Sequence, residues 1–250
     1  MNIIVCLKQT FDTEAKIELK DGGIATQGVK YIINPYDEFA VEEALKIKEA
    51  QGGEVTVISV GTDQAQEALR QALAMGADKA VLVESPQSDE YAVAKAIAKA
   101  IEGMDYGLIL GGHVAIDDNS AQVATRLAQE LNLPQVNVVS KLELNGSSAT
   151  CTREIEGGND IVETPLPAVV TCQKGLNEPR YPSLKGIMQA KKKELRQVSL
   201  SELGIDAEKK VEILEIFLPP KKEAGKIVDG EAEEAAAELV RLLKEEAKVI

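Results

Sequence analysis

The chain has 250 residues, 44% of them hydrophobic, with 28 basic residues against 41 acidic ones and a formal net charge of −13. That length supports one large domain, or a domain with an appended arm, and a substantial core. No apolar run approaches the ~18–20 residues of a membrane span, which argues against direct membrane insertion. The acidic excess argues against nucleic acid as a partner, because phosphate neutralisation needs clustered Lys and Arg. Cys6, Cys151 and Cys172 are widely spaced, form no CxxC, and with the single His113 do not make an ordinary zinc site. The start, MNIIVCLKQTFD, lacks the basic head, long apolar run and small-residue cleavage site of a signal peptide and reads as a strand. A reducing, cytoplasmic setting is the expectation.

In chain order, Ile3-Ile4-Val5 predicts a first buried strand ending near Cys6, where nothing local marks the thiol as a low-pKa nucleophile. INPYDEFAVEEAL then places Asn34-Pro35 ahead of a helix, with Ala40, Val41, Ala44, Leu45 and Ile47 on one apolar face. Val55 to Val60 is a strand, and Ala65, Ala68, Leu69, Ala72 and Leu73 make the next helical face, stopped by Gly76 as a C′ glycine. Ala80 to Val83 and Leu108 to Leu110 are further strands. Between and after them, Ala92, Val93, Ala96, Ile97 and Ala100, and then Val123, Ala124, Leu127, Ala128 and Leu131, repeat the helical spacing. Strands alternating with helices over residues 1 to about 140 imply an α/β fold: an open, mostly parallel, Rossmann-like sheet with helices on both faces.

After Pro134 the rhythm changes. Gln135–Ser140, Lys141–Leu144, Ala149–Ile155, Asp160–Glu163 and Ala168–Cys172 are short strand-like pieces, and Asn145-Gly146 and Gly157-Gly158 are hairpin turn signals, so an antiparallel extension of the sheet is expected. Beyond Arg196 the pattern predicts a short SLSELGI helix, a strand over Val211–Phe217, a connector containing Pro219-Pro220, and a helix from about Glu231 to Ala247. The expected division is a nucleotide-binding α/β domain over 1–196 and a linker with a C-terminal arm over 197–250, the arm packing on something the chain does not itself supply.

Open parallel sheets bind ligands at the carboxyl ends of their strands. The best such loop is GGHVAIDDNSAQVATRLAQEL after Leu110, whose glycines admit a close backbone approach and whose Asp117, Asp118, Asn119 and Ser120 crowd a helix start. Because phosphate repels carboxylates, Asn119, Ser120, Thr125 and backbone amides are the expected phosphate neighbours. Asp117 reads as a helix cap or a ribose-hydroxyl acceptor. The same residues are also ordinary capping chemistry. There is neither a GxGxxG after the first strand nor a GxxxxGK[ST], so a dinucleotide fingerprint and a P-loop are disfavoured. His113 has no nucleophile placed near it in sequence and reads as a loop or ligand-lining residue, and no constellation argues for hydrolysis or group transfer.

From Lys174 to Arg196 seven basic residues face two acidic ones, a +5 window that leaves −18 for the rest of the −13 chain. This island is either a solvated face or a docking surface. Several stretches here resemble the electron transfer flavoprotein beta subunits, and the resemblance covers essentially the whole chain: VCLKQTFD, INPYDEFAVEEAL, ALAMGADKAVLVE, AIDDNSAQVA, REIEGG, LPAVVTCQKGLNEPRYPSLKGIMQAKKK and the C-terminal arm. Members of that family pair with an alpha subunit that carries most of the FAD site, and the beta subunit usually buries AMP. The resemblance implies AMP-lining positions at Cys6, Asn34, Pro35, Tyr36, Asp37 and Val60, and along the loop at Val114, Ala115, Ile116, Asp117, Asn119, Ser120, Gln122, Val123, Ala124 and Thr125. It implies that Glu154 contacts the mobile flavin domain, and that Leu184 inserts into a pocket on partner dehydrogenases. Ile187 and Met188, one turn on, would widen that apolar anchor, with Lys191 and Lys192 steering acidic partner surfaces.

The implied function is electron relay without catalytic residues of its own: electrons pass from acyl-CoA or related dehydrogenases, through the alpha-bound FAD, to a quinone oxidoreductase, as in fatty acid β-oxidation. Bifurcating members hold a second FAD in place of AMP and tend to read Gly-Asp-Thr and then Val-Gly-Pro along the loop. This chain has Asp118-Asn119-Ser120 and Val123-Ala124-Thr125, which favours AMP. A stand-alone adenine-nucleotide sensor resembling universal stress proteins would account for the first 140 residues, but not for the docking block or the arm.

Overall fold

In the first strand, β1 (Ile3–Cys6), Ile3 and Val5 project to one face and Ile4 to the other, and all three are buried. A strand apolar on both faces needs covering on both. The computed structural model describes residues 1–20, 22–85, 89–206, 209–221 and 224–250. Among these, β1 is followed by β2 (Gln9–Phe11), β3 (Leu19–Lys20), β4 (Gly23–Ile24) and β5 (Tyr31–Ile33), which pair as two antiparallel ribbons, β2 with β5 and β3 with β4. Then come α1 (Pro35–Gln51), β6 (Val55–Gly61), α2 (Gln66–Met75), β7 (Lys79–Glu84), α3 (Glu90–Ala100), β8 (Leu108–Gly112) and α4 (Val123–Leu131). The second half holds β9 (Gln135–Asn145), β10 (Ser148–Ile155), β11 (Gly158–Pro165), β12 (Ala168–Cys172), α5 (Leu184–Ala190), β13 (Leu195–Ser199) and α6 (Ala232–Glu245).

The main sheet of the described residues runs β11-β10-β9-β12-β8-β1-β6-β7-β13. Every neighbour from β9 to β13 in that order is parallel, and only β10 and β11 run antiparallel to their neighbours. The buried apolar residues of α1, α2 and α5 share one core with Ile3, Val5, Val57 and Leu110; those of α3 and α4 share the other with Ile4, Ile58, Val83 and Ile109. From β1 the chain steps outward through β6 and β7 with α1 and α2 on the first face. It then crosses to β8 on the other side of β1, with α3 and α4 on the second face. A reversal of direction needs the opposite face if crossovers keep one hand, and it opens a crevice between the loops that follow β1 and β8.

The expected α/β architecture and its antiparallel extension are both present, with local differences. The pieces Gln135–Ser140 and Lys141–Leu144 are one continuous β9, and β9 and β12 belong to the parallel part of the sheet. The SLSELGI stretch is not a helix: Leu195–Ser199 is an edge strand on β7, and residues 201–204 form turns. Only its first residue, Ser199, belongs to that strand; the rest turns back so that Leu200, Leu203 and Ile205 pack against the second core. Val211–Phe217 is not a strand: it finds no partner edge among the described residues and leaves Ile213, Leu214 and Phe217 largely exposed. In α6, Leu242 is the buried residue among those described.

The first turn of α1 fixes the crevice. Pro35 sits at the first helical position, where a missing N–H costs nothing, behind Asn34 as N-cap. Asn34 does not cap its own helix with its side chain. Instead its Nδ2 donates to Val114 O at 2.9 Å and its Oδ1 accepts from Ile116 N at 3.2 Å. Asp37, one turn on, accepts from Lys8 N at 2.7 Å and Gly112 N at 2.9 Å, tying the end of β1 to the end of β8. A Cβ at Gly112 would overlap Asp37 Oδ1 and Tyr36, so the close approach requires glycine there.

Burial pushes the Asp37 carboxyl up to about 7, against the lowering effect of the Lys8, Asn34 and Gly112 hydrogen bonds. The folded chain thus holds this proton at pH values where the unfolded chain, near 3.8, has released it. Its stabilising contribution is complete below pH ~4 and is lost as pH rises towards about 7, amounting to no more than about 4 kcal/mol. In denaturant titrations at stepped pH, Asp37→Asn will lack that fall between pH ~4 and ~7; parallel pH profiles for both proteins would contradict the assignment.

Candidate functional site

The crevice is a cleft of about 1060 Å³ at the carboxyl ends of β1, β6 and β8. Cys6, Val60, Gly61, Gly111 and Gly112 form its floor, the starts of α3 and α4 its sides, and residues 209–213 an outer wall. That wall is tied down by Asp89, which caps α3 through Ala92 N at 2.8 Å and also accepts from Lys210 N at 2.5 Å and Val211 N at 2.9 Å. Burial raises the Asp89 carboxyl, but these N–H donors more than offset it and hold it below the usual carboxylate range.

The two helix starts at the cleft differ. The start of α3 is capped by Asp89 and carries Glu90 in its first turn, so its N–H groups and dipole are already answered by anions. The start of α4 has Gln122 at the N-cap without a side-chain cap bond and no acidic residue in its first turn. Its open N–H end is the one that favours an anion.

The loop from 113 to 122 is held from three directions. Asn34 grips Val114 and Ile116 as described above, and Asn119 N donates to Ala115 O at 2.9 Å. Lys8 Nζ reaches Asp117 Oδ1 at 2.8 Å and Asp118 Oδ2 at 2.6 Å. Burial lowers the Lys8 amine, but its bonds to the two aspartates more than offset this and raise it. Burial likewise raises Asp118, and Lys8 with the Ser120 amide brings it below the usual range. Asn119 and Ala121 adopt φ of 56° and 53°, a left-handed backbone that Asn tolerates and Ala does not favour, so the loop is held against local preference.

Of the expected nucleotide positions, Cys6, Asn34, Asp37, Val60, Val114, Ala115, Ser120, Gln122, Val123 and Ala124 line the cleft. The others do not line it. Pro35 begins α1, Tyr36 meets His113 edge to face at 6.3 Å, and Ile116 is held by Asn34. Asn119 bends the loop, and Thr125 Oγ1 accepts from Gln135 at 3.0 Å. Asp117 is not a helix cap, because α4 begins only at Val123; it is an ion-pair partner of Lys8. Lys8, Asp89 and residues 209–213 were missed by the sequence reading. Lys8 had a signal, since it closely follows the first parallel strand; residues 209–213 had none. The Cys6 thiol is pushed up to about 12 by burial and then by Asp37, so it is no nucleophile at neutral pH. His113 lines the cleft and is held below its ordinary value by burial, with Glu154 opposing. Glu154 is exposed on β10, with Gln173 Nε2 at 3.4 Å from its carboxylate.

The basic stretch after β12 is bonded to α1 at its start. Asn177 Nδ2 donates to Phe39 O at 3.0 Å and Glu43 at 2.9 Å, and Arg180 forks onto Glu42 and Glu49 of α1. Beyond this mount, Tyr181, Leu184 and Met188 are 94%, 84% and 72% exposed, with Ile187 at 46%. Lys191 and Lys192 are exposed, whereas Lys193 turns inward to the α2 carbonyl of Leu73 and to Ala77 O. No helix of the described residues is long and apolar enough to cross a membrane, and no group of three or more His, Cys, Asp or Glu among them is placed to hold a metal.

Comparison with known proteins places this arrangement in a family. The electron transfer flavoprotein domain matches residues 21–203. The electron transfer flavoprotein subunit beta of Bacillus subtilis is 50% identical over 257 residues, spanning 100% of both chains. That of Syntrophomonas wolfei is 51% identical over 251 residues, spanning 100% of this chain and 98% of its own. The mitochondrial subunit beta of Oryza sativa subsp. indica is 38% identical over 258 residues, again spanning 100% of both. The chain therefore belongs to the electron transfer flavoprotein beta-subunit family, whose members are electron carriers.

Proposed function

We propose that this chain is the beta half of an alpha–beta heterodimer in which it buries AMP as a structural ligand and presents a docking face to flavoprotein dehydrogenases. Electrons from an acyl-CoA or related dehydrogenase pass through the FAD held mainly by the alpha subunit to a quinone oxidoreductase. The FAD supplies the redox chemistry; this chain's residues bind, position and dock. The observation that carries the nucleotide assignment is the uncapped, acid-free start of α4 opening into a cleft at the reversal of the sheet. The donor set fits a nucleoside monophosphate: the amides of Gln122, Val123 and Ala124 with Ser120 would take the phosphate, and the apolar side chains of Val60, Val93 and Val123 suit a base.

Of the expected 197–250 arm, the residues through Ser199 stay in the main sheet as β13, and the part from about Val211 onward is the segment that reaches the alpha subunit in this reading. Val211, Ile213, Leu214 and Phe217 are exposed together there, an apolar surface that a monomer does not leave uncovered without reason. This counts against a stand-alone nucleotide sensor. Glu154, exposed on β10, is assigned to contact with the flavin domain. The setting is cytoplasmic; the rice relative is named as mitochondrial.

A second reading, FAD in place of AMP, is favoured by one observation: about 1060 Å³ lies just above the ~300–1,000 Å³ range of small-molecule pockets and leaves room for a dinucleotide. Asp118-Asn119-Ser120 and Val123-Ala124-Thr125 favour AMP. Nucleotides released from the purified heterodimer and weighed by mass spectrometry will be one AMP and one FAD, while two FAD would establish the second reading. The docking assignment is tested separately by Leu184→Ala, which removes an exposed apolar anchor. It will slow reduction by the partner dehydrogenase about tenfold or more, the loss of roughly 1.4 kcal/mol or more, with bound FAD unchanged. Unchanged partner kinetics would remove Leu184 from the docking face.

A further inference from the structure

The basic run Lys191-Lys192-Lys193 divides in the structure. Two of its cations stand in solvent, and the third is turned back into the fold, where Lys193 Nζ lies 3.0 Å from Leu73 O and 2.5 Å from Ala77 O at the carboxyl end of α2. A cation there answers orphan carbonyls and the negative end of the helix dipole. The reverse contact is made from α2 itself: Arg70 Nη1 donates to Ala190 O at 2.6 Å and Lys193 O at 2.8 Å, the last carbonyls of α5 and its exit. The two elements are therefore cross-stapled: Arg70 of α2 ends α5, and Lys193, three residues past the end of α5, ends α2. They also touch at the backbone, since a Cβ on Gly186 would overlap Ala74 O.

An isolated helix of seven residues, Leu184–Ala190, is far too short to hold itself in water. Ser183 caps its start through Gly186 N at 3.0 Å, and Ala190 is its buried residue. With so little core of its own, its orientation depends on the staple. We infer that Arg70 and Lys193 are positioning residues for partner docking, holding α5 so that Leu184 and Met188 leave the surface in one preset arrangement. The inference rests on the reading that the Leu184 face docks a dehydrogenase. Its gain is preorganisation: an anchor already in place loses less entropy when it is gripped. Lys193 thus adds no steering charge, and the steering falls to Lys191 and Lys192.

The test uses the complete FAD-loaded heterodimer reduced by an acyl-CoA dehydrogenase. Lys193→Met and Arg70→Met will each raise KM for the heterodimer by roughly three- to tenfold, part of the worth of a charge-assisted hydrogen bond, with kcat and FAD content retained. Amide hydrogen exchange over residues 184–190 will quicken in both. Lys191→Met, which removes the same charge from an exposed neighbour, will raise KM only at low salt. Adding Lys193→Met to Leu184→Ala will raise KM little beyond Leu184→Ala alone, because the staple acts through the anchor. Wild-type KM in both staple variants, or effects that multiply fully with Leu184→Ala, would overturn the inference while leaving the docking face standing. Wild-type KM in Leu184→Ala itself would overturn the docking reading and the staple's role with it. If the methionine variants fail to assemble, Arg70→Lys, which keeps the charge but loses the planar fork, will show a smaller KM increase with the same hydrogen-exchange signature; unaltered KM and exchange in that variant would overturn the inference.

Discussion

The cleft depends on two side chains in the first turn of α1. Asn34 and Asp37 spend their hydrogen-bonding groups on the backbone of neighbouring elements: Lys8 and Gly112 at the ends of β1 and β8, and Val114 and Ile116 in the loop beyond. Two parallel strands whose chains depart to opposite faces would otherwise leave unpaired N–H groups at the crevice, where burial makes them costly. Satisfying them from α1 keeps the crevice open and gives it a rigid floor. Asp37 carries both strand ends alone, and its burial there drives the carboxyl towards neutrality despite the bonds it accepts.

Everything on the cleft's rim follows from where that floor puts the loop. Once Val114 and Ile116 are gripped, Asp117 and Asp118 come within reach of Lys8, and the loop's acidic residues are neutralised before they can oppose an anion at α4. The asymmetry between α3, capped by Asp89, and α4, uncapped and acid-free, then leaves the start of α4 as the helix end open to an anion. Further along α1, Glu42, Glu43 and Glu49 hold Arg180 and Asn177, so one helix braces the cleft at its start and the basic stretch that carries Leu184 along its length.

Much of this was legible in the sequence, because period and punctuation are local. The apolar faces of α1 and α2, the stop at Gly76 and the proline entry at Pro35 required only helical spacing and turn chemistry. The illegible parts were non-local. The SLSELGI stretch looked helical because its alternative, a run of turns that seats Leu200, Leu203 and Ile205 on the second core, depends on elements far away in sequence. Asp117 looked like a cap because the real helix start at Val123 has none of the usual capping residues, and Lys193 looked like its two neighbours because its partners sit on α2. The loop after β8 was singled out from helix-end physics, but Lys8 and residues 209–213 come to the same cleft from more than 80 residues away on either side.

The central claim is that the α1 clamp organises a cleft for an adenine mononucleotide. Calorimetric titration of AMP into nucleotide-stripped protein, wild type and Asn34→Ala, tests it most directly. The account predicts one AMP per chain for wild type and binding weakened about tenfold or more in Asn34→Ala, where the loop loses the hydrogen bonds to Val114 and Ile116. Equal affinity in the two proteins, or no AMP binding by wild type, would contradict it.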